Sequence, residues 1–263
     1  FKQKTAYEIY RCDWSSDVCS SDLLSSTLRS YFEGKKDLFK GLAIETLEKE
    51  WIEYPVLHFD LSTFKNCDFS LFPEKFDMQL RRFEKQFGIE DMRKSAGNRL
   101  TQLIEQAESM TGRKVVIIID EYDAPLLDVL HDETKLEAVR TIMQEFYAPI
   151  KANSSHIHFA FITGITKFSQ LSIFSTINNL TNISMDPEFS TICGITKDEL
   201  DTVLKEDIAL LASKNHVSFE RMRELLRENY DGYHFSREGE DIFNPYSLMR
   251  SFAAGFIDNY WYA

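Results

Sequence analysis

Two adjacent carboxylates follow an unbroken run of β-branched residues near the middle of the chain. Residues 115–119 are all valine or isoleucine, and Asp120 and Glu121 come directly after them. Such a run is typical of a strand buried on both faces of a parallel sheet, and these sheets bind ligands at the carboxyl ends of their strands. The pattern predicts phosphate chemistry, in which Asp120 holds Mg²⁺ through a coordinated water and Glu121 polarises the attacking water.

The alternative for this pair is an acidic strand end that only faces solvent. The acids continue as Asp-Glu-Tyr-Asp-Ala-Pro over residues 120–125, and this extension favours the site over the solvated strand end.

The flanking sequence must supply the elements that position these acids, and its apolar pattern alternates between strand and helix. Strand, helix and strand at this spacing imply right-handed crossovers and a parallel sheet. We predict strands over 54–60, 114–120 and 156–163, the last two buried on both faces, two short helices between 24 and 50 separated at Gly34, one long or two shorter helices over 74–110, and a helix over 134–152.

The character of the sequence changes after about residue 190. Thr196 and Glu199 form a capping box, and Ser218 and the pair Asn244-Pro245 are further helix starts. Between these helices, residues 230–235 and 241–243 predict a turn and a small hairpin. We therefore expect residues 191–263 to form a small, mainly helical lid.

The first 23 residues differ from the rest of the chain, because serine and aspartate are concentrated at residues 13–22 and no apolar period persists. The string resembles a translated sequencing adapter, and such segments are excluded from fold reasoning. The alternative is a natural N-terminal arm, and the nucleotide sequence of the gene distinguishes the two. The expected organisation is 1–23 non-native, 24–190 a truncated core and 191–263 a truncated lid.

The composition limits the classes of partner that the protein is expected to bind. A formal net charge of −12 argues against a protein that coats nucleic acid or an anionic membrane, so direct nucleic-acid binding is not indicated. No apolar run reaches the roughly 18 residues of a membrane span. The four cysteines show neither metal nor disulfide spacing, which favours a reducing cytoplasm.

Three motifs carry a resemblance to a known family: IIIDEYDAPL, TGITKFSQLSIFSTINNLTNIS, and YDGYHF followed by FNPYSL. In this order and spacing they resemble the AAA-ATPase-like family of bacterial P-loop ATPases, whose members commonly carry a PD-(D/E)XK nuclease-like domain. The resemblance covers about 24–263. It implies an α/β fold, with an additional-strand, AAA+-like parallel sheet between helices and a winged-helix-like lid, and it implies ATP and Mg²⁺ as cofactors.

The same resemblance implies roles for individual residues. Asp120 and Glu121 take the Walker B positions, and Thr163 takes the sensor position between water and γ-phosphate. Asp123 joins the nucleotide-binding residues, and Lys167 stands where the family tends to have a basic residue that contacts phosphate. A solvated turn lysine is an equally good interpretation of Lys167.

The sequence departs from the family at the phosphate loop, since no G-x-x-x-x-G-K-[ST] motif occurs in the chain. Alignment ahead of the first helix places the motif's lysine at Ser21 and its serine at Asp22. The chain as given is therefore expected to bind ATP weakly and to be an inactive fragment of an ATP hydrolase, cut at both ends. We expect residues 6–12 to occupy the place of the missing strand.

Three functions remain open for the parent protein. It hydrolyses ATP to move a lid or partner subunits, it is a non-hydrolysing P-loop scaffold, or ATP gates a nuclease-like effector domain. Arg221, Arg223 and Arg227 are candidates for phosphate contact, and a solvated helix face explains them equally well.

Overall fold

The computed structural model describes residues 20–65, 67–90, 95–164, 179–232 and 239–260. These residues fall into two compact units. The sheet unit comprises residues 28–35 and 50–181, and the helical unit comprises the described residues of 20–27, 36–49 and 182–260. The predicted boundaries at 23 and 190 stay predictions.

A parallel sheet forms the centre of the sheet unit, as predicted. Its strands are β1 (Val56–Asp60), β2 (Val115–Asp120) and β3 (Ile157–Ile162), hydrogen-bonded in the order β1-β2-β3. All six residues of β2 are buried, because this strand is paired on both sides and covered on both faces. The register sets Asp60 opposite Asp120, so both acids lie at the carboxyl edge of the sheet.

The prediction that β3 is buried on both faces is wrong. His158 is exposed and the other residues of the strand are partly exposed. The physical reason is position: within the described residues, β3 is paired on one side only, by β2.

Helices flank the sheet unit's strands and precede them in the chain. The break at Gly34, which has a φ of 68°, is confirmed. Of the two alternatives for residues 74–110, one long helix or two shorter ones, the structure contains two helices. The second ends at Gly112, which has the left-handed conformation that glycine favours. The helices up to β3 are α1 (Ser20–Phe32), α2 (Ala43–Leu47), α3 (Phe72–Gln86), α4 (Ala96–Thr111), α5 (Ala124–Leu127) and α6 (Glu133–Ala152), and 3-10 turns occur at Lys36–Phe39, Ser62–Phe64, Phe69–Leu71, Ser154–His156 and Pro187–Phe189. Of these elements, α2 and the turns at Lys36–Phe39 and Pro187–Phe189 belong to the helical unit.

The two faces of the sheet are covered unequally. Alternate residues of a strand point to opposite faces, so Leu57 and Ile117 join the main apolar cluster with α3, α4 and α6. Val56 and Ile118 point the other way and pack in a smaller cluster with Phe32 of α1. The main core of the sheet unit therefore lies on one side of the sheet.

A buried ion pair joins α3 to α4. The Arg99 guanidinium donates to both carboxylate oxygens of Glu84, at 2.6 and 2.7 Å, and to Asp77 Oδ1 at 2.9 Å. The Arg99 and Glu84 side chains are only 9% and 3% exposed. The hydrogen bonds that Arg99 donates to Glu84 and Asp77, together with the charges of these carboxylates, raise the pKa of Arg99, so the guanidinium stays charged inside the protein.

The helical unit contains the predicted helix starts. The Thr196–Glu199 capping box is formed, and Ser218 and Asn244 each accept a backbone N–H at the start of a helix. Phe243 pairs in antiparallel fashion with Ile195, a partner that the hairpin prediction did not include; residues 233–238 lie outside the described residues. The helices are α7 (Lys197–Thr202), α8 (Lys205–Lys214), α9 (Phe219–Tyr230) and α10 (Pro245–Ala254).

Within the described part of the chain, no helix combines the length and the apolar character that a membrane crossing requires.

Candidate functional site

The carboxyl edge of the sheet brings together Asp120, Glu121 and Thr163. The β2–β3 ladder continues past the strand ends, because Thr163 N–H donates to the Ile119 carbonyl at 2.9 Å. This places the Thr163 hydroxyl beside Asp120, to whose Oδ1 it donates. The Glu121 N–H donates to the same oxygen at 3.1 Å and to Thr163 Oγ1 at 3.4 Å.

Asp120 is only 3% exposed, yet the described residues do not supply all the hydrogen bonds that its carboxylate can accept. Oδ1 accepts both bonds, and Oδ2 accepts none from the described residues. Asp60, the register partner of Asp120, is exposed and accepts the Ser62 N–H at 2.9 Å. Among the described residues, one carboxylate oxygen at this edge is therefore without a hydrogen-bond donor.

Glu121 leaves the strand in an uncommon backbone conformation. Its φ is 51°, in the left-handed region that few non-glycine residues adopt. Such conformations are found most often at functional sites, where the surrounding structure stabilises them. Here the bonds from Glu121 N–H to Asp120 and Thr163 fix the turn.

The structure adds Lys65, which the sequence reasoning missed. Its ammonium lies 2.6 Å from Glu121 Oε1 and 2.5 Å from Oε2. Leu61 N–H donates to the Asp120 carbonyl at 3.0 Å, so the segment after β1 runs beside the segment after β2. The only sequence signal for Lys65 was its place shortly after a strand parallel to β2.

Asp123 and its neighbour Tyr122 are buried behind this edge of the sheet. Asp123 is 1% exposed, and Tyr147 Oη donates to the adjacent Tyr122 carbonyl at 3.4 Å. Burial raises the pKa of the Tyr122 and Tyr147 hydroxyls, and the Asp123 charge raises both further. Both phenols therefore stay neutral, and a role for Asp123 in nucleotide binding stays a prediction.

Gly164, directly after Thr163, lies too close to Tyr122 and Asp123 to accommodate a side chain. A Cβ there would lie 2.4 and 2.5 Å from ring carbons of Tyr122 and 2.6 Å from Asp123 Oδ1. We expect Gly164→Ala to lower the free energy of unfolding by about 1–3 kcal/mol, the usual cost of overpacking. Urea denaturation measures the change.

The control for Gly164→Ala is Gly88→Ala. An added Cβ at Gly88 meets no atom within 4 Å, and its φ of 64° imposes backbone strain alone. A Gly164→Ala protein as stable as the unchanged chain would contradict the described packing of Gly164 against Tyr122 and Asp123.

The other predicted contacts fall elsewhere. Lys167 lies outside the described residues. Arg221 pairs with Glu224 and Glu228, Arg223 lies 2.9 Å from Asp201, and Arg227 lies 3.9 Å from Asp231. These carboxylate partners support the solvated-face interpretation of the three arginines.

Among the described residues, no group of three or more histidine, cysteine, aspartate or glutamate side chains is placed to hold a metal ion. Mg²⁺ commonly takes one or two carboxylates, with water and substrate phosphate completing its ligands. The carboxyl edge around Asp120 suits this mode of binding. It does not suit a site in which protein side chains alone surround the ion.

Comparison with known proteins supplies the family. The profile of a family described as predicted AAA-ATPase matches residues 21–174, which include the three β-strands and the edge around Asp120. The chain belongs to the predicted AAA-ATPase family. Membership of this AAA-ATPase family implies use of a nucleotide and Mg²⁺ in general terms, and the α/β fold with its parallel sheet is compatible with a P-loop-like architecture.

A curated relative matches most of the chain. A protein of Azotobacter chroococcum mcd 1, described as an uncharacterized protein in the vnfD 5' region, is 31% identical over 240 residues. The match covers 91% of this chain and 44% of the relative, so the chain spans less than half of the relative's length. No solved structure matches the chain.

Proposed function

We propose that this chain forms the Walker B side of an ATP site in a protein that binds and hydrolyses ATP with Mg²⁺. The observation that carries the proposal is the junction of Asp120, Glu121 and Thr163 at the carboxyl edge of a parallel sheet. Ligands of such sheets bind at this edge.

The donor set fits a magnesium ion. Carboxylate and hydroxyl oxygens are the hard ligands that Mg²⁺ prefers, and Asp120 Oδ2 accepts no hydrogen bond from the described residues. Asp120 would hold the ion, directly or through a water molecule, with the Thr163 hydroxyl beside it. When bound, the ion would neutralise charge on the terminal phosphates.

Glu121 and Thr163 both act on the attacking water. The Glu121 carboxylate accepts the proton of the attacking water, and the Thr163 hydroxyl orients that water towards the phosphate. In the structure both Glu121 oxygens contact the Lys65 ammonium, so the base must leave this ion pair before it accepts a proton.

The phosphate side of the site needs groups that the sequence does not supply. No G-x-x-x-x-G-K-[ST] motif occurs in the chain, and that motif supplies backbone N–H groups and a lysine to the phosphates. Helix α1 begins at Ser20, and a phosphate loop would align its lysine with Ser21 and its serine with Asp22. We therefore propose that the chain as given binds ATP weakly and does not turn it over.

A loop-grafted chain tests the proposal. In it, residues 1–22 are replaced by a strand and a glycine-rich loop ending in Gly-Lys-Ser ahead of Leu23. We expect Mg²⁺-dependent ATP hydrolysis from the loop-grafted chain and none from the chain as given, measured as phosphate release. Equal ATP affinity of the two chains, or no hydrolysis by a folded graft, would contradict the proposal.

One observation favours a second function, a P-loop scaffold that does not hydrolyse ATP. The Lys65 ammonium neutralises the carboxylate that would act as base, and it contacts both oxygens. A loop-grafted chain that binds ATP without turnover would support this second function. A winged-helix arrangement of the lid, further subunits, a fused nuclease-like domain and a cytoplasmic location stay predictions for the whole protein.

A further inference from the structure

A cavity of about 730 Å³ opens beside the amino-terminal half of β1. Its lining includes Arg29, Arg82, Arg113 and His58, and we name it the arginine cavity for these residues. The cavity begins beside Val56, at the amino-terminal end of β1. At the usual rise per residue of a strand, Val56 lies about 13 Å from Asp60 at the carboxyl end. All four residues belong to the sheet unit.

Two of the arginines have no carboxylate partner among the described residues. The Arg82 guanidinium donates from Nη2 to the His58 carbonyl at 2.7 Å and lies 4.6 Å above the Phe83 ring. Within the described part of the chain, neither Arg82 nor Arg113 makes an ion pair. As far as the structure describes the chain, both charges are therefore available to an anion.

The third arginine shares its partner with a lysine. Glu33 lies 2.7 Å from Arg29 Nε and 2.5 Å from Lys35 Nζ, so one negative charge faces two positive charges. Glu50 and Glu53 also line the cavity. Burial, followed by the Arg29 charge, lowers the pKa of both His58 and Arg82, as expected for groups that lie near another cation.

The His58 imidazole adds an unused polar atom. Its Nε2 is buried and has no hydrogen-bond partner among the described residues, an arrangement that carries a cost unless a ligand or water completes it. Its lowered pKa keeps the ring neutral near pH 7. Beside it, Tyr54, Phe83 and Phe87 give the cavity an aromatic wall.

We propose that the arginine cavity binds a phosphorylated small molecule. The phosphoryl group would lie between Arg82 and Arg29 with His58 Nε2 completing its hydrogen bonds, and the body of the ligand would pack against the aromatic wall. Guanidinium groups match the geometry of phosphate oxygens, and the volume lies within the range of roughly 300–1,000 Å³ usual for small-molecule sites. The proposal does not depend on ATP hydrolysis at the other end of the sheet.

Calorimetry with three probes tests the proposal on the whole chain. Phenyl phosphate carries both the charge and a flat apolar body, inorganic phosphate carries the charge alone, and phenol carries the ring alone. We expect saturable binding of phenyl phosphate, weaker binding of inorganic phosphate and no binding of phenol. Arg82→Gln should weaken phenyl phosphate binding about tenfold or more, because a charge-assisted hydrogen bond is lost.

The matched control is Arg81→Gln on the same helix. Arg81 is 60% exposed, pairs with Asp77 at 2.6 Å and does not line the cavity, so its loss should leave phenyl phosphate binding unchanged. Equal loss in the two variants, equal affinity for phenol, or no saturation would overturn the proposal. If Arg82→Gln does not fold, the His58 side-chain nitrogen resonances of the unchanged chain decide: a shift on adding phenyl phosphate supports the site, and no shift overturns it.

Discussion

Replacing Glu121 with glutamine in the loop-grafted chain should reduce ATP hydrolysis by about 10²–10⁴-fold, the usual contribution of a positioned general base. Glutamine keeps the size and reach of the side chain but cannot accept the proton of the attacking water. ATP binding should persist, because the phosphate contacts come from other groups. Steady-state phosphate release and equilibrium nucleotide binding, measured on the same preparations, separate the two effects.

Lys65→Met is the matched control for this result. Both variants break the ion pair between Lys65 and Glu121, whose oxygens lie 2.5 and 2.6 Å from the ammonium, but only Glu121→Gln removes the base. Lys65→Met should therefore retain turnover. Hydrolysis by Glu121→Gln at the unchanged rate would exclude Glu121 as the base, and loss in both variants would assign the effect to the ion pair.

Replacing Arg99 with methionine should lower the free energy of unfolding of the sheet unit by about 3–5 kcal/mol, the cost of leaving one member of a buried ion pair alone. The Glu84 side chain is 3% exposed, so its charge would be stranded away from water between α3 and α4. Urea denaturation followed by circular dichroism measures the change.

Two further variants interpret the Arg99 result. Arg81→Met removes a pair that is 60% exposed at the arginine, and it should change stability little because exposed pairs contribute about 0–1 kcal/mol. The double variant Arg99→Met/Glu84→Met removes both buried charges and should regain much of the lost stability. A double variant as unstable as Arg99→Met would show that packing, rather than the stranded charge, sets the cost.

Much of the sheet could be predicted because its signals are local. The apolar run before Asp120 has the pattern of a buried strand, and β2 is buried along its whole length. Caps at Thr196, Ser218 and Asn244 depend only on residues within one helical turn, and all three form. The convergence of Asp120 and Thr163 follows from parallel pairing, which brings the carboxyl ends of neighbouring strands together.

Contacts between distant segments could not be predicted in the same way. The contact of Lys65 with Glu121 depends on where the loop after β1 turns, and nothing in either local sequence specifies that turn. Arg99 and Glu84 sit on two helices whose facing sides are set by tertiary packing. The exposure of β3 was missed because hydrophobic composition does not distinguish an inner strand from an outer one.

The order in which the strands pair has a consequence for how the sheet forms during protein synthesis. The described strands pair in the order in which they occur in the chain, although the connections are long and the first runs from Asp60 to Val115. During synthesis on the ribosome, β2 meets a β1 that has already emerged, and β3 then meets β2. Sheet growth can thus follow translation strand by strand, which shortens the time for which the apolar β2 segment is exposed to other nascent chains.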